Sequence, residues 1–287
     1  MLLEVKNLSA EVKNPGEEEP RGVLSGVNFH VDAGETVVLL GPNGSGKSSV
    51  ASSVMGVPKF KVTSGEILFE NENFVCKNHE ILMDARAKKG VFLSYQNPVE
   101  IQGLSTSEML YEAVLAKNEY RLEKGGKTAE RGSKMREKGD FDAGSTRLRI
   151  AEETKKLGTE IWFAERELNV GLSGGEKKKN EILQMLILRP KLAILDEIDS
   201  GLDVDSSDVI SEVVSDYQKE SGCGLLVITH NLKVLSKLKV DRVYVMREGK
   251  IVMEGDSKLI SMVEKMGFAK LFEMAGYNGG DRGGKNG

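Results

Sequence analysis

The sequence predicts an α/β fold built on a covered, mostly parallel sheet. Three observations carry that expectation. Short runs dense in Val, Ile and Leu recur at 36–40, 91–93, 192–195, 225–229 and 243–246, as in strands buried on both faces. Helical patterns lie between them: in 205–217, Val209, Ile210, Val213, Val214 and Tyr217 share one face, with Asp205 as the expected N-cap. A glycine-rich turn at 41–48 joins one apolar run to a helical stretch starting at Lys47, the strand–turn–helix order of a parallel α/β unit.

The glycine-rich turn reads Gly41, Pro42, Asn43, Gly44, Ser45, Gly46, Lys47, Ser48 and fits G-x-x-x-x-G-K-[ST] at every fixed position. Glycines let consecutive N–H groups curl toward one anion, and the helix N-terminus adds partial positive charge. Lys47 is expected to place a point charge near the β- and γ-phosphates of ATP. The Ser48 hydroxyl suits Mg²⁺, and Ser49 follows as a further phosphate contact.

The run at 192–195 ends in Asp196 and Glu197. In a parallel sheet, the strand ends beside a phosphate loop face the ligand. Asp196 is expected to hold Mg²⁺ and Glu197 to orient and deprotonate a water. Alone, two carboxylates after a strand are as well read as solvated side chains; beside a phosphate loop the catalytic reading wins.

Between these motifs, 105–108 (Ser, Thr, Ser, Glu) predicts a capping box opening a helix through Val114. The stretch 117–144 is rich in Lys, Arg, Glu and Gly and predicts a surface excursion, with helix resuming near Thr146 and stopping at Gly158. Arg247, Glu248 and Gly249 separate two strand patterns as a hairpin turn. The tail from Gly276 is polar and Gly-rich.

Leu172, Ser173, Gly174, Gly175 and Glu176, before a helix expected over 177–188, match the signature sequence of ABC ATPases. Gln96 resembles that family's Q-loop glutamine, with Mg²⁺ and ATP as its expected contacts. Ser200, Gly201, Leu202 and Asp203 resemble its D-loop, and His230 its switch histidine. All stand in the family's order. The resemblance implies an ABC nucleotide-binding domain: a RecA-like mixed sheet core with an antiparallel β subdomain and a helical subdomain. It divides the chain into 1–95 (N-terminal core, β subdomain and phosphate loop), 96–165 (helical subdomain with the insert 117–144), 166–272 (C-terminal core) and 273–287 (flexible tail). It also implies that 172–176 act on ATP held by a second subunit, with Lys47, Glu197 and His230 catalytic. The aromatic residue that stacks on adenine in many ABC proteins is not evident near 11–21.

A narrower resemblance is carried by 96–101 (Gln, Asn, Pro, Val, Glu, Ile), by 169–185 with its Gly-Glu-Lys-Lys-Lys-Asn core, and by 195–203. These resemble the SufC family, the ABC-type ATPases of the Suf iron–sulfur assembly system. The departures are Lys179 where Arg is usual, Asn231 where Tyr is common, and the charged insert. The resemblance implies a cytoplasmic ATP hydrolase that dimerises transiently on ATP and changes the shape of SufB- and SufD-like scaffold proteins. The competing readings are the ATP-binding subunit of an ABC transporter and an ATP-gated clamp or scaffold.

Composition narrows the alternatives. A net charge of −4 gives no overall basic surface for nucleic acid. Two cysteines, Cys76 and Cys223, far apart, form no disulfide framework or four-ligand cluster site and fit a reducing compartment. The charged start has no apolar leader, and no run approaches the length that spans a bilayer. His30 and His79 lie outside every motif, and Trp162 reads as an anchor of the helical subdomain.

Overall fold

A computed structural model describes residues 1–277 apart from Pro15, Glu18, 77–78, 125–142 and Asp199. In chain order the elements are β1 (Leu3–Val12), β2 (Arg21–Val31), β3 (Thr36–Leu40), α1 (Lys47–Met55), β4 (Phe60–Phe69), β5 (Glu72–Asn73), β6 (Val75–Cys76), β7 (His79–Glu80), α2 (Met83–Lys89), β8 (Val91–Ser94), β9 (Ile101–Ser105), α3 (Thr106–Lys124), α4 (Ala143–Lys156), α5 (Trp162–Glu165), β10 (Glu167–Leu168), α6 (Gly174–Leu188), β11 (Leu192–Asp196), α7 (Val204–Ser221), β12 (Gly224–Ile228), a 3₁₀ turn (Leu232–Lys237), β13 (Arg242–Arg247), β14 (Lys250–Gly255) and α8 (Lys258–Met274).

The central sheet has the order β14-β13-β3-β12-β11-β8, parallel except for the β13–β14 hairpin. Strands β3, β8, β11, β12 and β13 bury both faces, because successive side chains point to opposite sides, while β14 is a half-exposed edge. Val38, Leu40, Ala193, Leu195, Leu225 and Val227 join one core. Their neighbours Val37, Leu39, Leu192, Ile194, Leu226 and Ile228 join the other. The first core is closed by Leu110, Ile150, Ile182, Ile210 and Leu271 from the helical layer. The second is closed by α1 and by the antiparallel sheet β2-β1-β4-β5, through Val50, Val54, Leu3, Val27 and Phe29. Each such side chain contributes about 1.5–3 kcal/mol on burial. Among the described residues no helix is long and apolar enough to cross a membrane.

Several local expectations need correction. Residues 117–124 are the C-terminal turns of α3 rather than loop. There Lys117 Nζ donates to the Leu188 and Arg189 carbonyls at the end of α6, a tertiary bond that composition does not reveal; the rest of the expected excursion, 125–142, lies outside the described residues. Helix α4 starts at Ala143 rather than Thr146. Asp203, not Asp205, caps α7, its carboxylate accepting from the Ser206 N–H at 2.7 Å. Trp162, expected as an anchor of the helical subdomain, is 54% exposed. Helix α8 runs to Met274, and the Tyr277 N–H bonds the Phe272 carbonyl, so ordered chain extends past 273; the remainder of the tail, 278–287, is outside the described residues. The capping box at Ser105 and Glu108 forms as expected, with bonds of 3.0 and 3.2 Å in the two directions.

Candidate functional site

The phosphate loop is over-determined by its glycines. Gly44 and Gly46 hold φ of 77° and 105°, values that L side chains rarely adopt. A Cβ on Gly41 would stand 2.5 Å from the Met246 carbonyl oxygen, so no other residue fits there without moving β13. Gly46 is the N-cap of α1 and brings no side chain, which leaves the first-turn N–H groups to an anion. Lys47 is buried, and its Nζ donates to the Gly41 and Pro42 carbonyls at 2.8 and 3.0 Å. Burial lowers its pKa, while the fields of Glu197 and Asp196 oppose that shift.

Strand order places the remaining polar groups. Gln96 follows β8, Glu197 ends β11 and His230 follows β12, three parallel neighbours whose carboxyl ends lie side by side. Gln96 Nε2 donates to Glu197 Oε2 at 2.6 Å. His230 Nδ1 lies 3.3 Å from Glu197 Oε1. Glu197 has φ of 51°, in the left-handed region, and its N–H bonds the Ile228 carbonyl at 2.8 Å. That fold of the backbone turns its side chain from the strand axis toward Gln96 and His230.

Asp196 is 5% exposed. Burial raises its pKa, a hydrogen bond with Ser48 lowers it, and Glu197 raises it further. Its Oδ1 is buried without a hydrogen-bond partner. A buried, orphaned carboxylate oxygen beside a serine hydroxyl is a donor set suited to a hard divalent cation. Lys47, Ser48, Gln96 and Glu197 line a cleft of about 800 Å³, together with Val23 and Asn43 and with no aromatic ring; Asp196 and His230 lie outside that lining, in contact with Ser48 and Glu197.

The signature segment lies elsewhere. None of 172–176 lines that cleft. The helix α6 starts at Gly174, earlier than expected, so both signature glycines lie in its first turn. Ser173 caps it in a reciprocal box with Glu176: the Glu176 N–H donates to Ser173 Oγ at 3.3 Å, and the Ser173 N–H donates to Glu176 Oε2 at 2.8 Å. A Cβ on Gly174 would stand 3.9 Å from Gly201 Cα, and one on Gly175 would stand 3.2 Å from Leu202 Cδ2. Thus 173–175 and 200–202 form one ridge, with Ser173, Gly174 and Gly201 exposed and the others half-buried.

One network escaped the sequence reading. Lys178 and Glu181 are both nearly fully buried and paired at 3.3 Å. Glu181 accepts from Ser94 Oγ at 2.6 Å and from the Tyr95 N–H at 2.9 Å, and Lys178 Nζ donates to the Tyr95 carbonyl at 2.6 Å. The signature helix is thereby bolted to the residues just before Gln96. The i, i+3 spacing of opposite charges was the available signal, but nothing local says that the pair is buried.

The sequence compares as follows. The family model described as ABC transporter matches residues 24–200. A probable ABC transporter ATP-binding protein of Streptococcus pyogenes is 37% identical over 278 residues, covering 96% of each chain. The iron–sulfur cluster assembly protein SufC of Plasmodium falciparum is 36% identical over 272 residues, 95% of this chain and 72% of that one. A probable ATP-dependent transporter of Synechocystis is 38% identical, covering 95% and 96%. Among solved structures, a dimeric bacterial ABC transporter cassette superposes with a TM-score of 0.69 at 23% identity, covering 89% of this chain and 98% of that one, which bears on the fold alone. With a family model over more than half its length and relatives above 30% identity along nearly all of it, the chain belongs to the ABC transporter family of ATP-binding proteins and is an ABC-type ATPase.

Proposed function

We propose that this ATPase works as an ATP-dependent homodimer that drives a shape change in an iron–sulfur cluster assembly scaffold, as a SufC-like subunit of the cytoplasm. The observation that carries the ATPase chemistry is the convergence of Gln96, Glu197 and His230 from three adjacent strand ends beside the phosphate loop. Gly41, Pro42, Asn43, Gly44, Ser45, Gly46, Ser48 and Ser49 would cradle the phosphates with backbone N–H groups and hydroxyls, and Lys47 would turn from its own loop carbonyls to the β- and γ-oxygens. Ser48, Asp196 and Gln96 would hold Mg²⁺, which when bound neutralises phosphate charge. Glu197 would orient a water and take its proton, while Gln96 and His230 fix the carboxylate and sense the γ-phosphate. The ridge of 173–175 and 200–202, with Leu172 buried beneath it and Glu176 and Asp203 as its helix caps, would complete the ATP site of the facing copy.

The scaffold reading is supported by the likeness to the Plasmodium SufC along 95% of the chain. A surface for such a partner is offered by the exposed apolar side chains Tyr95, Val99 and Ile101, which flank Gln96 in sequence. The likeness to the streptococcal transporter-type proteins favours a second reading, an ATPase that energises a membrane permease. Anaerobic affinity purification from the native cell separates the two. Recovery of a SufB- or SufD-like scaffold is the expected result; recovery of a permease in its place refutes it.

A further inference from the structure

The turn between β13 and β14 touches two parts of the molecule at once. Glu248 and Gly249 form it with φ of 49° and 76°. The Gly249 N–H donates to the Ser45 carbonyl at 2.9 Å, and the Gly249 carbonyl accepts from the Ser25 N–H at 2.9 Å. A Cβ on Gly249 would stand 2.5 Å from the Val23 carbonyl oxygen. The turn is therefore pressed against the phosphate loop and pins its Ser45 peptide.

On its other side, Arg247 reaches Phe272 and Tyr277. Its Nη1 donates to the Tyr277 carbonyl at 2.9 Å, and its guanidinium lies 5.2 Å from the Phe272 ring centroid. The Tyr277 N–H returns to the Phe272 carbonyl at 2.8 Å. Helix α8 breaks at Gly267 (φ 72°, ψ 168°), and past the break Phe268 stacks on Phe272 at 6.1 Å. A space of about 510 Å³ lies between Pro42 and Asn43 on one wall and Phe268 and Phe272 on the other. The short piece 268–277 thus meets the phosphate loop through Arg247 and its turn rather than by close packing.

We propose that the segment 268–277 sets the nucleotide affinity of the phosphate loop, with Arg247 as the positioning residue that connects them. This rests on the reading of the phosphate loop as the ATP site. Coupling of this kind is reciprocal: if the docked segment favours the loop geometry that holds ATP, bound ATP must favour the docked segment by the same factor. A binding partner that seats on or displaces 268–277 would then tune ATP affinity without touching ATP.

The test uses the full chain as wild type, Arg247→Ala and Arg247→Lys. Titration with a fluorescent ATP analogue gives Kd, steady-state turnover gives kcat, and amide hydrogen exchange follows 268–277 with and without ATP. In Arg247→Ala, Kd is expected to rise about five- to tenfold with kcat little changed, and the ATP-dependent slowing of exchange at 268–277 is expected to vanish. Arg247→Lys keeps a cation over Phe272 and a donor for the Tyr277 carbonyl, and should restore most of both. A variant with lower Tm but unchanged Kd, or with ATP slowing exchange as in wild type, overturns the proposal. Should Arg247→Ala not fold, Arg247→Met in the full chain, which keeps the aliphatic stem but loses the charge and the donor to the Tyr277 carbonyl, gives the same readouts. A wild type that binds no ATP refutes the site reading itself, and this proposal with it.

Discussion

The phosphate loop and the signature ridge are both helix N-termini, yet they are built in opposite ways. At the first, the cap is a glycine, the lysine is buried against its own loop, and a Cβ added at Gly41 would meet backbone at 2.5 Å. At the second, a serine and a glutamate already close the cap on each other, and Ser173 stands exposed. The first end has first-turn donors to give and a cleft to give them in. The second has satisfied part of its own demand and faces outward. In the proposed dimer, the end that receives the ligand within its own chain would be the recessed one, and the end that meets a ligand on the facing copy would be the outward one. That difference is what a composite site between two copies requires.

The contrast can be broken most directly at Lys47. Lys47→Ala should lower turnover by about 10²–10³-fold, since it removes the buried point charge of the phosphate site; normal turnover in a coupled-enzyme assay would end the reading of that cleft. Glu197→Gln should lose turnover by about 10²–10⁴-fold yet keep ATP affinity, and should run as a dimer on size exclusion with ATP; a monomer at all ATP concentrations contradicts it. The two helix ends are compared head to head by mixing. Lys47→Ala and Ser173→Arg chains should each be inactive, and their mixture should regain about a quarter of wild-type activity, because half the dimers carry one intact composite site. No recovery means that the ridge does not serve a facing copy.

Two smaller effects test the framework around these ends. Arg86→Met should cost about 3 kcal/mol in urea unfolding, since the fully buried guanidinium serves the Ile81, Ser53 and Val54 carbonyls and their acceptors would be orphaned. Lys117 of α3, whose ammonium meets the carbonyls at the end of the signature helix, gives a pH signature. Burial, helped by Arg121 and Lys191, pushes its pKa down to about 8, against about 10.4 in an unfolded chain. Between those values the unfolded chain holds more protons, so this group makes stability rise with pH, and below about 8 it is a constant cost. The urea midpoint of wild type relative to Lys117→Met should climb between pH 8 and 10; a flat difference refutes the burial of the charge.

The legible parts of this chain were those whose cause is local. The strand runs at 36–40 and 192–195 and the capping box at Ser105 carry their own patterns, and the observed elements fall on them. The phosphate loop is legible because its glycine positions are dictated by backbone geometry. What was not legible depends on partners far along the chain. Residues 117–124 read as loop because their few apolar side chains give little periodicity, whereas Lys117 is held by carbonyls more than 70 residues away. Lys178 and Glu181 read as two more surface charges until the fold brings Ser94 and Tyr95 to them. Asp203 and Asp205 are both good caps by composition, and only the path of the chain past Gly201 decides for the earlier one. Trp162 shows the converse case, a large ring expected to anchor the helical subdomain that leaves more than half its surface exposed.

Arg86 has a consequence for how variants of this protein will be interpreted. Its guanidinium closes over Gly56, where a Cβ would stand 2.7 Å from its Cζ, and it neutralises the carboxyl end of α1. The amino end of that same helix is the phosphate loop, about 14 Å away for nine residues. A helix whose tail charge is permanently answered can lend its whole dipole to whatever sits at its head. A screen for weakened nucleotide binding should therefore return position 86, and Gly56 with it, although neither comes near a phosphate; a map of such hits would trace the axis of one helix rather than the outline of a pocket.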